Sequence, residues 1–113
     1  SEEEEARREE GIQEALKKAT DVPFQIAGKC LEMARLSLTS AEIGNVAAVS
    51  DAGVAALLAE AAAQSAALNV KINVNSIKDE DFNESKWSRT REILRETAEL
   101  RERVVKLTYE RLG

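Results

Sequence analysis

Apolar residues recur at spacings of three and four along most of the chain, and that spacing predicts helices. From about Glu2 to Ala19, the residues Ile12, Ala15, Leu16 and Ala19 fall on one stripe behind a run of glutamates that favours a helix N-terminus. Gly11 interrupts this segment at a cost of about 1 kcal/mol, so its first turns depend on a neighbour for order. Thr20-Asp21-Val22-Pro23 reads as a stop and a restart. Either polar residue can cap a second helix, and proline fits the first turn, where no amide donor is needed. That second helix runs to about Ala41. Its apolar positions wrap widely, from Phe24 and Ala27 through Cys30 and Leu31 to Leu38, and Gly44-Asn45 ends it, with glycine taking a left-handed cap.

A third helix, capped by Ser50 or Asp51 and running to Leu68, is apolar nearly all round and alanine-rich, so it is expected at the centre of the structure. Val70-Lys71-Ile72-Asn73-Val74 alternates like a strand, but one short strand has no partner here, and it reads as an extended connector. Ser76-Ile77-Lys78-Asp79 carries a helix-start signal, with Asp79 itself a candidate cap for a last helix that continues to Leu112. Ile93, Leu100 and Leu107 repeat every seven residues, with Thr97 and Val104 between them, in a coiled-coil-like seam. A last helix of that length is expected to outreach the other three and to pack part of its stripe, Leu100 included, on a second copy. The expected fold is therefore all-α: one single helical domain over residues 1–113, four-helix bundle-like with a long C-terminal helix.

Composition narrows the chemistry. There is no histidine and one cysteine, Cys30, which excludes zinc fingers, Ser-His-Asp triads and an internal disulfide. Cys30 on an apolar face reads as a buried small hydrophobe that suits a reducing compartment. A net charge of −5, with both signs interspersed, gives no basic face for nucleic acid. The stretch from Ala52 to Leu68 owes its apolarity to alanine and contains Glu60, so no transmembrane span is expected. The glutamate-rich start is unlike a secretory or transit signal, which points to a cytoplasmic location.

Few residues remain as candidates for function. Asp51, Ala55, Leu58, Ala62, Ser65 and Asn69 share one helix stripe, so a carboxylate stands beside small side chains that leave room. Asp51 either satisfies backbone amides or acts as an acid or base in a partly desolvated cleft. Asn45, Asn69, Asn73 and Asn75 either cap and turn the chain or bind the amides of a heterocycle. Trp87 and Phe82 read as packing anchors.

The chain also resembles a known family. The run Gln13-Glu14-Ala15-Leu16-Lys17-Lys18-Ala19-Thr20-Asp21-Val22-Pro23, then Gly44-Asn45, then Ser50-Asp51-Ala52-Gly53-Val54-Ala55-Ala56-Leu57-Leu58, then Asn69-Val70-Lys71-Ile72-Asn73, and finally Ile77-Lys78-Asp79-Glu80-Asp81-Phe82, is similar to the C-terminal portion of the formiminotransferase-cyclodeaminase / methenyltetrahydrofolate cyclohydrolase family. The resemblance implies an all-helical, dimeric domain acting on a one-carbon derivative of tetrahydrofolate, with no further cofactor and no metal. It implies Asp51 as the catalytic carboxylate, and Asn45, Ser50, Asn69 and Asn73 as ligand-binding residues. Two positions depart from the family pattern: Ala47 stands where a second asparagine is usual, and Ser65 where glycine is frequent. The family's N-terminal helices and glycine-rich helix start are also absent from this sequence. The resulting expectation is a truncated or engineered helical scaffold with little or no activity alone, self-associating or meeting a protein partner. The alternative expectation is an active one-carbon enzyme, a cyclodeaminase or cyclohydrolase, whose site is completed by dimerisation.

Overall fold

The computed structural model describes residues 1–113 as three long helices, α1 (Glu2–Ile43), α2 (Val46–Val74) and α3 (Glu80–Leu112). They lie side by side in a rod 70 Å long and 19 by 16 Å across. The fold is all-helical as expected, with three helices in place of four.

The difference arises at Pro23, which lies inside α1. Proline removes one amide donor and crowds the carbonyl four residues earlier, a cost of about 3 kcal/mol in an isolated helix. Here tertiary packing outweighs it. Thr20 is fully buried, and its hydroxyl donates to the Leu16 carbonyl at 2.8 Å instead of capping a new helix. Asp21 pairs with Lys86 of α3 at 3.2 Å, and the Lys86 ammonium also lies 4.3 Å from the centre of the Phe24 ring. Residues on both sides of Pro23 are thus held to α3, and the helix continues through it.

At the other end of α1, Gly44 is extended (φ −73°, ψ 162°), not left-handed. It is needed for close approach: its amide donates to the Ser40 carbonyl at 2.7 Å, and a Cβ at this position would collide with that oxygen. No basic residue lies in the last turn of α1, and Arg111 of α3 supplies one, donating to the Ala41 carbonyl at 2.6 Å. α2 begins at Val46, earlier than expected. Its cap is Asn45, whose Oδ1 accepts from the Ala48 amide at 3.0 Å, and not Ser50 or Asp51. It also ends later, because Val70 to Val74 are helical: Val70 and Val74 are buried one turn apart, a period of four that overrides the alternation. α3 starts where the sequence places it, with Asp79 as its cap accepting from the Phe82 amide at 3.0 Å.

α2 packs against both α1 and α3, as its all-round apolarity requires. By length and composition α2 could also cross a membrane, but two charged helices flank it and its Glu60 pairs with Arg101 of α3. The core is thin. Ala27, Leu31, Ala66 and Ile93 form one cluster, with Leu100 packed on it; Ala41, Val49, Ala52, Ala56 and Val104 form another. The α3 seam is therefore buried within the chain. The 42-residue α1, not the 33-residue α3, is the longest helix, which removes the argument that α3 must reach a second copy through Leu100.

Four threonines, at positions 20, 90, 97 and 108, occupy this core. Three hydroxyls donate to carbonyls four residues earlier; that of Thr97 has no partner. A buried hydroxyl without a bond carries its desolvation penalty uncompensated. Thr97→Val, which keeps the shape, is expected to raise the unfolding free energy by about 1 kcal/mol in urea titration. Thr90→Val, which deletes a 2.7 Å bond to the Lys86 carbonyl, serves as the control without that gain.

Candidate functional site

The structure distributes the five sequence-derived site residues over both ends of α2. Asn69 and Asn73, one turn apart, line a groove of about 300 Å³ with Ala19, Val22, Pro23 and Ile26 of α1. Pro23 has no amide, so the Ala19 carbonyl on this groove lacks its usual donor four residues on. The Asn69 Nδ2 donates weakly to the Ser65 carbonyl at 3.3 Å, leaving its oxygen as an acceptor. This groove thus combines apolar walls with carboxamides and a backbone acceptor, a set suited to a flat heterocycle bearing N–H and C=O groups.

Ser50 lies at the far end, on a different groove of about 170 Å³ between α2 and α3 that Val54, Leu57, Val105 and Tyr109 also line. Asn45 is used as the α2 cap. Asp51 is exposed in the second turn of α2, where a carboxylate complements the helix N-terminus. From Asp51 to Asn69 is 18 residues, about 27 Å along the helix. Within one chain, then, the carboxylate and the paired asparagines do not converge. No three acidic or cysteine side chains come together as metal ligands.

A third groove, of about 240 Å³, was not legible beforehand. Lys71, Val74 and Asn75 of the α2 end face Glu80, Asn83, Glu84 and Trp87 of α3. The Lys71 ammonium lies 4.7 Å from the Trp87 ring centre, so the indole has a cationic neighbour supplied by another helix. Asn83 donates to the Ile77 carbonyl at 2.7 Å, while its Oδ1 is buried with no partner. The one sequence signal was an asparagine four residues after the Asp79 cap.

The loop beside these grooves is fixed by α1. The Gln13 side chain donates to the Ser76 carbonyl at 3.0 Å and accepts from the Lys78 amide at 2.8 Å. Lys78 pairs with Glu9 at 2.9 Å, which holds the Glu9 carboxyl below its ordinary range. Asp79 is held low as well, first by the hydrogen bond from Lys17 at 2.8 Å and then by the Phe82 amide. A carboxyl whose folded value lies below its unfolded one binds more protons when unfolded. Its contribution is complete above the unfolded value near pH 4 and is lost as pH falls through the lower folded one. Asp79→Asn keeps a capping side chain but removes this charge. Thermal melts from about pH 6 to pH 2 should show a shallower acid decline in the variant than in the parent chain. Burial pushes the Cys30 thiol up, which keeps it protonated and unreactive.

The family model described as formiminotransferase-cyclodeaminase matches residues 1–92, which take in α1, α2 and the first turns of α3. The chain belongs to the formiminotransferase-cyclodeaminase family. Among its relatives, the methenyltetrahydrofolate cyclohydrolase of Methylorubrum extorquens is 44% identical over 104 residues, covering 92% of this chain and 50% of that protein. The formimidoyltransferase-cyclodeaminase of Gallus gallus is 40% identical over 80 residues, covering 71% of this chain and 15% of that protein. The chain thus spans half the length of the first relative or less of the second. All five candidate residues lie inside the stretch matched by the formiminotransferase-cyclodeaminase model, whereas residues 93–113, which carry most of the α3 seam, lie beyond it.

Proposed function

We propose that this chain is a helical folate module, self-associating and with little or no turnover alone, whose ligand is a one-carbon derivative of tetrahydrofolate. The observation that carries this reading is the division of the matched polar residues between two ends of one helix, about 27 Å apart. Catalysis demands reacting groups held to a fraction of an ångström, and a ligand of folate size needs an enclosing pocket. Three shallow grooves of about 170 to 300 Å³ supply contact surface for parts of such a ligand, not enclosure. Both relatives are named for folate or formimidoyl chemistry, which supports the ligand class.

The test follows the absorbance of 5,10-methenyltetrahydrofolate with the purified chain. Decay at the buffer rate, together with tetrahydrofolate binding by equilibrium dialysis, is the expected outcome. Chain-dependent decay abolished by Asp51→Asn would establish the second reading, an enzyme completed by dimerisation. That reading draws support from the position of Asp51 on the outward face of α2, open to another molecule.

A further inference from the structure

Carbonyls outside the regular helix ladder are answered by side chains in this fold. Arg111 donates to the Ala41 carbonyl, Asn83 to that of Ile77 and Gln13 to that of Ser76. Ala19 is treated differently. Pro23 deprives its carbonyl of an amide in mid-helix, no side chain donates to it, and Thr20, the adjacent hydroxyl, turns to the Leu16 carbonyl instead. The proline does little for packing, being half-buried and outside both core clusters. A residue that weakens its helix without improving the core marks a place where the fold serves a ligand.

The groove at this point supplies the chemistry. Ala19, Val22, Pro23, Ile26, Asn69 and Asn73 line about 300 Å³, and none of the six is charged. Asn69 keeps its Oδ1 free, since only its Nδ2 is engaged, weakly, by the Ser65 carbonyl at 3.3 Å. Asn73 faces the groove with a carboxamide that can both accept and donate. The polar set is therefore two acceptors and one donor, between apolar walls. The 2-amino-4-oxo edge of a pterin ring is its complement: two neighbouring N–H donors followed by a carbonyl acceptor. Carboxamides can turn over to present either end, whereas a main-chain carbonyl only accepts, so the Ala19 oxygen decides which edge fits. The carboxylates at the glutamate end of folate meet no cation here.

We infer that the Ala19 carbonyl, freed by Pro23, is the acceptor that reads the 2-amino group of the pterin ring. Val22, Pro23 and Ile26 lie against the ring, Asn69 and Asn73 complete its edge, and the glutamate end of the ligand stays outside the groove. This orientation rests on the folate reading above and adds which end of the ligand the α1–α2 groove takes.

The test titrates pterin, and separately pteridin-4-one, which lacks the amino group, into isotope-labelled chain while amide shifts are followed. The parent chain should bind pterin about fivefold more tightly, the net effect of one hydrogen bond at an open site. p-Aminobenzoylglutamate, the other end of folate, should leave the Val22 and Ile26 amides unshifted. Pro23→Ala returns an amide to the Ala19 carbonyl, so the variant should melt higher than the parent and bind both rings alike. Asn73→Ala should weaken both rings by about fivefold and keep the preference for the amino group. A parent chain without that preference, or a Pro23→Ala chain that retains it, overturns the acceptor. A Pro23→Ala chain that melts lower overturns it too, because the proline would then serve the fold, and p-aminobenzoylglutamate shifting the Val22 and Ile26 amides overturns the orientation. Equilibrium dialysis with tetrahydrofolate separates the two readings. Tetrahydrofolate binding without a proline-dependent preference leaves the folate reading standing and removes the acceptor, whereas the preference without tetrahydrofolate binding leaves the acceptor standing and removes the folate reading.

Discussion

Leu31→Ala is expected to lower the unfolding free energy by about 3 kcal/mol, read as a fall in the urea midpoint with an unchanged slope. The cost is large because the core has few anchors. Leu31 and Ile93 are the largest of the fully buried side chains, and the residues around them are Ala27 and Ala66. Alanines have no side chain long enough to collapse into the space left behind, so the cavity stays open and its lining loses contacts. A domain of this size is stable by only some 5–15 kcal/mol, so one truncation removes a substantial share. Ile93→Ala, in the same cluster, should cost a similar amount. The double variant should cost less than the sum, because the second deletion enlarges an existing cavity.

The second large effect is expected at Gly53. A Cβ there would stand 2.9 Å from the Thr108 Oγ1, 3.1 Å from its Cγ2 and 3.3 Å from its Cβ. Thr108 cannot step aside cheaply. Its hydroxyl is committed to the Val104 carbonyl at 2.7 Å and to the Val49 carbonyl of α2 at 3.3 Å. Gly53→Ala should therefore push α2 and α3 apart and cost about 1–3 kcal/mol, although alanine is the better helix former. Gly28→Ala is the control: nothing lies within 4 Å of its Cβ position, and helix propensity alone should add up to about 1 kcal/mol. Thr108→Ala in the Gly53→Ala background removes the obstructing atoms and should restore part of the loss. A double-mutant cycle by chemical denaturation gives the coupling directly.

Much of this architecture was legible in the residues. The helical class, the central place of α2, the burial of Cys30 and the Asp79 cap followed from periodicity and cap chemistry, which are local properties. The merger of two predicted helices through Pro23 was not legible. It depends on Asp21 and Phe24 meeting Lys86, a contact between residues more than sixty positions apart. Val70 to Val74 misled for a related reason: five alternating residues fit a strand locally, and the burial of Val70 and Val74 decides for a helix. The expected seam on α3 carried the right periodicity and the wrong partner, because the repeat of Ile93, Leu100 and Leu107 does not state which helix it faces. Of the candidate site, the pairing of Asn69 with Asn73 follows from their spacing of four only in a helix, and the reading of Val70 to Val74 as an extended connector hid it. The separation of both from Asp51 was equally implicit once Val70 to Val74 joined α2, whereas the Lys71–Trp87 pair required the register between two helices.

The contacts of α1 with α2 and those of α1 with the segment leading into α3 are unequal in the chain entropy that their closure costs. α1 and α2 are joined by only Gly44 and Asn45, so α1–α2 contacts near that turn link near neighbours in sequence and close a short loop. At the opposite end, the bonds from Gln13 and Lys17 to Ser76, Lys78 and Asp79 span 62 to 65 residues. Contacts of that separation form late in folding and open early in local fluctuation. Pairing of α1 with α2 should therefore proceed like a zipper that starts at Gly44, and the groove between Ala19 and Asn73 lies at the end that closes last, whereas the Lys71–Trp87 groove closes across the short α2–α3 loop.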